Sequence, residues 1–256
     1  MGFFYFDESI HPRGGFILGA YIAAEESLDA QVESALSRHG LRPQLDEYKS
    51  SSDMASNLKL DALREELRHM VGRCSLAVVI APIEQLPMLG TVALQALRQV
   101  LNSNRLADQP HTVLLDSGIK APRVTPSELL ALGGLHPAST IRFGVDSRLV
   151  GGVQLADCAA HTAATVLLEE MGLIRKEVAG READAWEPDE HYPLGFQLWA
   201  IMRQAFFNGG LPPEPRGDNY FVEVHPYGLY IAPETPTGIA DHAMKRFGSA
   251  YLGCIR

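Results

Sequence analysis

The chain has 256 residues, 46% of them hydrophobic and 21% charged, with a formal net charge of −9. That length allows one domain with an elaboration or two small domains, and the negative balance argues against binding nucleic acid by bulk electrostatics. It does not argue against a metal-dependent nuclease, whose carboxylates count as negative until their ions are added.

Three widely spaced cysteines, Cys74, Cys158 and Cys254, form no Cys-x-x-Cys, which speaks against a disulfide scaffold or a structural zinc site. Asp7-Glu8 interrupt the apolar start, so no signal peptide is expected, and no apolar run is long enough to span a membrane. A cytoplasmic protein without a membrane partner is the expectation.

In chain order, the four aromatics Phe3-Phe4-Tyr5-Phe6 predict a short strand buried on both faces, ending at Asp7-Glu8-Ser9. A second strand follows over 15–24, about a hairpin away. Leu28, Val32 and Leu36 recur every fourth residue and predict a helix over 27–39, with Ser27 as its cap. Residues 45–52 read as an extended or loop segment carrying both signs of charge. An amphipathic helix is predicted over 57–71, a buried strand over 75–81 and a helix over 89–103.

The strand 111–115 ends in Asp116. The helix 125–132 carries a capping box, Thr125 with Glu128, around Pro126. The strand 139–145 ends in Asp146-Ser147, and a long alanine-rich helix follows over 150–171. Beyond it the chain changes character. Residues 174–192 are highly charged, 193–207 read as an amphipathic helix, and 220–224 with 228–232 read as a hairpin around His225-Pro226-Tyr227. The organisation expected is a core over 1–172 and a C-terminal α+β elaboration over 173–256 packed on it.

Acids recur at the ends of the apolar runs: Asp7-Glu8, Asp116 and Asp146. Asp157 sits in the most alanine-rich helix, where an unsatisfied charge costs several kcal/mol. Gln154, Asp157 and His161 share one stripe of that helix. Taken alone, Asp7-Glu8 serve equally well to open a turn, and the stripe to form a half-exposed polar edge. Carboxylates that converge from separate segments are what a two-metal phosphoryl-transfer site needs, and hard cations such as Mg²⁺ prefer oxygen ligands.

The stretches Phe4-Tyr5-Phe6-Asp7-Glu8-Ser9, Glu47-Tyr48-Lys49, Leu114-Leu115-Asp116, Asp146-Ser147 and Val153-Gln154-Leu155-Ala156-Asp157 resemble domain-of-unknown-function family 3800. The pattern is F-x-D-E-S-G, then E-x-K, a strand ending in Asp, D-S, and L-Q-x-A-D. The match runs over about residues 3–165. It departs at Ile10, where the family has Gly, and at Val153, where it has Leu.

The resemblance implies a ribonuclease H-like α/β fold: a mixed five-stranded sheet flanked by helices, with acids on the first strand, the fourth strand and the final core helix. Carried over residue by residue, it implies Asp7, Asp116 and Asp157 as catalytic metal ligands for Mg²⁺ or Mn²⁺. Glu47 is the candidate for the remaining acid, and Glu8, Asp146 and His161 are supporting ligands. Lys49, Ser9 and Gln154 are the substrate-binding candidates.

The leading expectation is a metal-dependent nuclease that hydrolyses phosphodiester bonds of DNA or RNA. Two alternatives stand beside it. One is a ribonuclease H-like binding or effector module with structural acids, in which Trp186, Trp199, Phe206, Phe207 and Tyr220 form a partner or homo-oligomer face, or else a small satellite core. The other is a metal-dependent hydrolase of a small phosphorylated molecule.

Overall fold

A computed structural model describes residues 2–51, 57–180, 190–211, 214–216 and 219–253. Strand β1 (Gly2–His11) turns at Pro12–Gly14 and Gly15 into β2 (Phe16–Ala24), paired antiparallel from Phe3↔Ala24 to His11↔Phe16. The turn needs Gly15, whose φ is +71°. Strand β1 is therefore longer than its aromatic run predicts. Asp7, Glu8 and Ser9 lie inside it, because β2 goes on accepting hydrogen bonds past Phe6.

Helices α1 (Asp29–Arg38) and α2 (Leu58–Val71) follow. Asn57 caps α2 by accepting from the amides of Lys59 and Leu60. Ser27 is not the residue that directly precedes α1; its hydroxyl accepts from the Asp29 amide and donates to the Asp29 carboxylate.

Strand β3 (Ser75–Pro82), helix α3 (Leu89–Ser103), strand β4 (His111–Asp116), helix α4 (Pro126–Leu132), strand β5 (Thr140–Val145) and helix α5 (Gly151–Glu170) complete the predicted core. The Thr125–Glu128 capping box of α4 is present in both directions.

Beyond α5 come β6 (Glu177–Ala179), β7 (His191–Pro193), α6 (Leu194–Met202), β8 (Glu214–Arg216), β9 (Asn219–Glu223), β10 (Leu229–Ile231), α7 (Thr237–Phe247) and β11 (Ser249–Tyr251). The expected hairpin over 220–232 is not formed. Strand β9 pairs with β8 and β11, and β10 pairs parallel with β3. The main sheet thus has six strands, in the order β10-β3-β2-β1-β4-β5. Five of them are the predicted ones; the sixth is lent by the C-terminal part.

Only β2 runs against the others. A mixed sheet in the order 3-2-1-4-5, with helices on both faces, is the ribonuclease H-like α/β arrangement. Alternation along the strands sorts the core. Tyr5, Leu18 and Leu114 pack with α5, while Phe6, Ile17 and Leu115 pack with α3.

Trp199 and Phe206 are buried and packed on Phe247, and Phe207 stacks on Phe4. Trp199 and Phe206 are core, continuous with the α5 layer, and Phe207 is a half-buried residue on the α3 side of the sheet. Tyr220 is exposed, and Trp186 lies outside the described residues. Cys74 and Cys158 are free thiols; Cys254 also lies outside the described residues. Among the described residues no helix is long and apolar enough to cross a membrane.

Candidate active site

The parallel pairing of β1 with β4 ends at Phe6↔Leu115. Asp7 and Asp116 are the next residues on each strand. Counting by two from Tyr5 and from Leu114 puts both on the face covered by α5. The bulge that breaks the β4–β5 register lies on β5, near Gly144 at φ +69°, so β4 keeps its phase up to Asp116. The site therefore lies at the carboxyl end of β4, where its pairing with β1 stops while β1 runs on to His11.

Asp7, Asp116 and Asp157 are all buried, at 6%, 6% and 8% exposure. Burial, and then the charges of Asp116, Asp157 and Glu8, hold the Asp7 carboxyl well above its ordinary range. Burial raises Glu8 as well, with Asp116 and Asp157 adding to it. The two strands supply a few donors. The Glu8 amide donates to Asp7 Oδ1 at 2.8 Å, and the Gly118 amide donates to Asp116 Oδ2 at 2.8 Å.

A Cβ on Gly118 would stand 3.2 Å from Glu8 Oε1 and 3.4 Å from Asp116 Oδ2, so these two carboxylates flank a bare backbone turn. Asp116 Oδ1 and Glu8 Oε2 are buried and accept from no described residue. Orphaned anionic oxygens beside two further acids are the donor set that a hard divalent cation satisfies. Among the described residues, however, no three His, Cys, Asp or Glu groups converge into a ready-made ion cage.

The segment around Glu47-Tyr48-Lys49 is laid along α5 by that helix's two polar side chains. Gln154 Oε1 accepts from the Tyr48 amide at 2.7 Å, and its Nε2 donates to the Ser147 carbonyl at 2.8 Å. Asp157 accepts from both the amide of Ser50, at 2.8 Å, and its hydroxyl. Burial raises the Asp157 carboxyl, against the opposing pull of these bonds and of Lys49.

Ser147 donates to Glu47 and lies 3.4 Å from Lys49 Nζ, which is 3.6 Å from Glu47. Burial pulls the Lys49 pKa down, but Glu47, Asp116, Asp7 and Asp157 outweigh it and the net shift is upward. Lys49 is thus the counter-charge of the acid cluster.

Three predicted site residues stand apart from it. Asp146 is half-buried and held by Arg148, with Nη2 to Oδ2 at 2.7 Å, which keeps its carboxyl below the usual range. The Ser9 hydroxyl pairs with His11 Nε2 at 2.9 Å. His161 lies one turn beyond Asp157 and lines a cavity with Arg64 and Arg68. Burial, and then these arginines and His11, push it down to about 4.

Sequence reading missed Ser50 and the supporting role of Ser147. The signal was there for Ser50: a buried helical Asp demands donors, and the E-x-K segment was the charged stretch available to supply them.

No family model matches the chain, and no curated protein matches it. Among solved structures, it is similar to a chain of the PCNA:RNase HII complex from Archaeoglobus fulgidus. That likeness has 16% identity over 67% of this chain and 79% of that one, with a TM-score of 0.40.

Proposed function

We propose that the chain is a divalent-metal-dependent phosphodiester hydrolase acting on nucleic acid, and a member of domain-of-unknown-function family 3800. One observation carries the reading. Three buried aspartates from β1, β4 and α5 share a field where β1 and β4 part, and one oxygen each of Asp116 and Glu8 accepts from no described residue. Of the motif residues quoted for the family, Asp7, Glu8, Asp116, Asp157, Lys49 and Glu47 are linked in or beside this cluster, while Ser9 and Asp146 are not.

Asp7, Asp116 and Asp157, with Glu8 at the rim, would hold Mg²⁺ or Mn²⁺. When bound, such a pair lowers the pKa of a water nucleophile and stabilises the attacking and leaving oxygens. The chain's own groups do the rest. Lys49 presents an ammonium to a phosphate oxygen. Gln154 fixes the Tyr48 amide and so aims Lys49. Ser50 fixes the Asp157 carboxylate, and the Ser147–Glu47 pair positions the Lys49 ammonium.

The test is calorimetric Mn²⁺ and Mg²⁺ titration of wild type and of the double variant Asp7→Asn/Asp157→Asn, with cleavage assays on single- and double-stranded DNA and RNA. Metal binding and cleavage should both vanish in the folded variant. Cleavage that survives in the variant sinks the mechanism.

A second reading has one observation behind it. Both Asp157 oxygens are already bonded to Ser50, as in a structural pin that holds a binding module together. Wild type that binds no metal and cuts no substrate, yet is destabilised by Asp157→Asn, is the outcome that reading expects.

A further inference from the structure

One helical turn beyond Asp157 lies a second polar cavity, about 390 Å³ in volume, between α2, α5, α6 and the chain around Val178. Its charged lining is Arg64, Arg68 and Lys176, against Asp61 and Glu65, with His161 on the α5 wall. The arginines are one turn apart on α2, so their side chains share a face.

Arg68 is only 11% exposed. Its Nη1 reaches Glu65 at 2.6 Å, and its Nε is buried with no acceptor among the described residues. Arg64 gives Nε to the Tyr48 hydroxyl at 3.0 Å and Nη2 to the Ser50 carbonyl at 2.9 Å. It is therefore anchored to the very segment that also holds Asp157. A metal cation is disfavoured here, because both guanidiniums face the same space as His161. An oxyanion is favoured: Arg64, Arg68 and Lys176 outnumber Asp61 and Glu65 in the lining, and guanidinium–phosphate bonds are the stronger, charge-assisted kind.

We infer that this cavity is a subsite for a backbone phosphate of the nucleic acid strand, flanking the bond positioned over Asp7, Asp116 and Asp157. Asp157 and His161 are four residues apart, roughly 6 Å along the helix axis at 1.5 Å per residue. The cavity therefore adjoins the acid cluster along α5. The identity of the anion as strand phosphate rests on the hydrolase reading above. The anion site itself rests on Arg64, Arg68 and Lys176.

The test is made on the full chain in EDTA, where no cleavage occurs, with two probes: inorganic phosphate and a labelled short single-stranded oligonucleotide. Fluorescence anisotropy should show the labelled strand binding saturably and inorganic phosphate displacing it. Arg68→Gln should weaken strand binding by roughly tenfold. Lys176→Gln, at an exposed position where folding is not at stake, should weaken it several-fold.

Binding that is unchanged in both Arg68→Gln and Lys176→Gln overturns the subsite. Phosphate binding that needs Arg68, with no strand binding, overturns the assignment to a strand. Arg68-dependent strand binding by a protein that cleaves nothing with Mn²⁺ supports the subsite and removes only the hydrolase reading.

Discussion

The amide and the hydroxyl of Ser50 both donate to the carboxylate of Asp157, 107 residues away along the chain. This pair of bonds joins the E-x-K segment to α5 and fixes the direction of a buried acid. Removing the hydroxyl leaves a carboxylate oxygen short of a donor in a buried place, which costs about 1–3 kcal/mol. Ser50→Ala should lose that much stability in urea unfolding, and Ser50→Thr should recover part of it. If Asp157 is a ligand, Ser50→Ala should also weaken Mn²⁺ binding about 10–100-fold, the usual effect of losing a group that orients a ligand. A loss of stability with unchanged Mn²⁺ affinity would favour the structural-pin reading.

The acid cluster sets a pH dependence with a definite sign. Asp7 has a folded pKa raised above its ordinary value of 3.8, so the folded state holds that proton more tightly than the unfolded chain. Its contribution is whole below the unfolded value and is lost as pH rises through the folded one. Glu8 and Asp157 act in the same direction. In EDTA, wild type should therefore lose stability as pH rises from the ordinary carboxylate range toward neutrality. Asp7→Asn should flatten that loss and be the more stable protein at neutral pH, by on the order of 1 kcal/mol. Saturating Mn²⁺ should reverse the order, adding about 2.7 kcal/mol to wild type at a hundred times Kd. Parallel stability–pH curves for the two proteins in EDTA would falsify the placement of Asp7 in this field.

Much of this was legible in the sequence because strands and helices announce themselves by period. The aromatic run of β1, the capping box of α4 and the alanine-rich α5 gave the core elements and the three aspartates. What escaped depends on pairing partners that no local pattern names. Strand β10 looks like half of a hairpin, and only the open edge of β3 turns it into a parallel neighbour. The extent of β1 past Phe6 is set by β2, not by its own composition. Spacing placed His161 on the stripe with Asp157, but whether it faces acids or arginines is decided by α2, which comes from elsewhere in the chain. Asp146 directly follows β5 much as Asp116 closes β4, yet Arg148 two residues on claims it.

Lys49 lies 3.6 Å from Glu47, and the charges of Glu47, Asp116, Asp7 and Asp157 raise its pKa. Two roles are separable. A cation beside a metal site repels the metal, so Lys49→Gln should leave Mn²⁺ affinity unchanged or tighter. A cation that holds a phosphate oxygen is missed by the substrate, so the same variant should cut strand cleavage at least about tenfold, the scale of one lost charge-assisted bond. Calorimetry with Mn²⁺ and single-turnover cleavage on the same preparation give both numbers. Weaker metal binding with unchanged cleavage per bound metal would mean that Lys49 only organises the acids.

The distance between α5 and β1 is set at Gly152. A Cβ there would stand 2.3 Å from Tyr5 Cε1 and 2.5 Å from Cζ, so the ring is packed directly on the helix backbone. The ring has little freedom to retreat, because the Tyr5 hydroxyl accepts from the Leu28 amide at 3.2 Å and reaches the Ser27 hydroxyl at 3.4 Å. Alanine is the better helix former by about 1 kcal/mol, and on propensity alone Gly152→Ala would stabilise the protein. Overpacking should win, because the methyl either displaces the ring or lifts α5, at a cost of about 1–3 kcal/mol or more. Lifting α5 also carries Asp157, five residues on, away from Asp7 and Asp116, so Mn²⁺ affinity should fall together with stability. Tyr5→Leu in the same chain vacates the space; the double variant should be more stable than the sum of the single effects by about 0.5–3 kcal/mol. A neutral or stabilising Gly152→Ala would mean that the helix sits further from β1 than these contacts require, and that the acids of β1 and α5 are not held in one site.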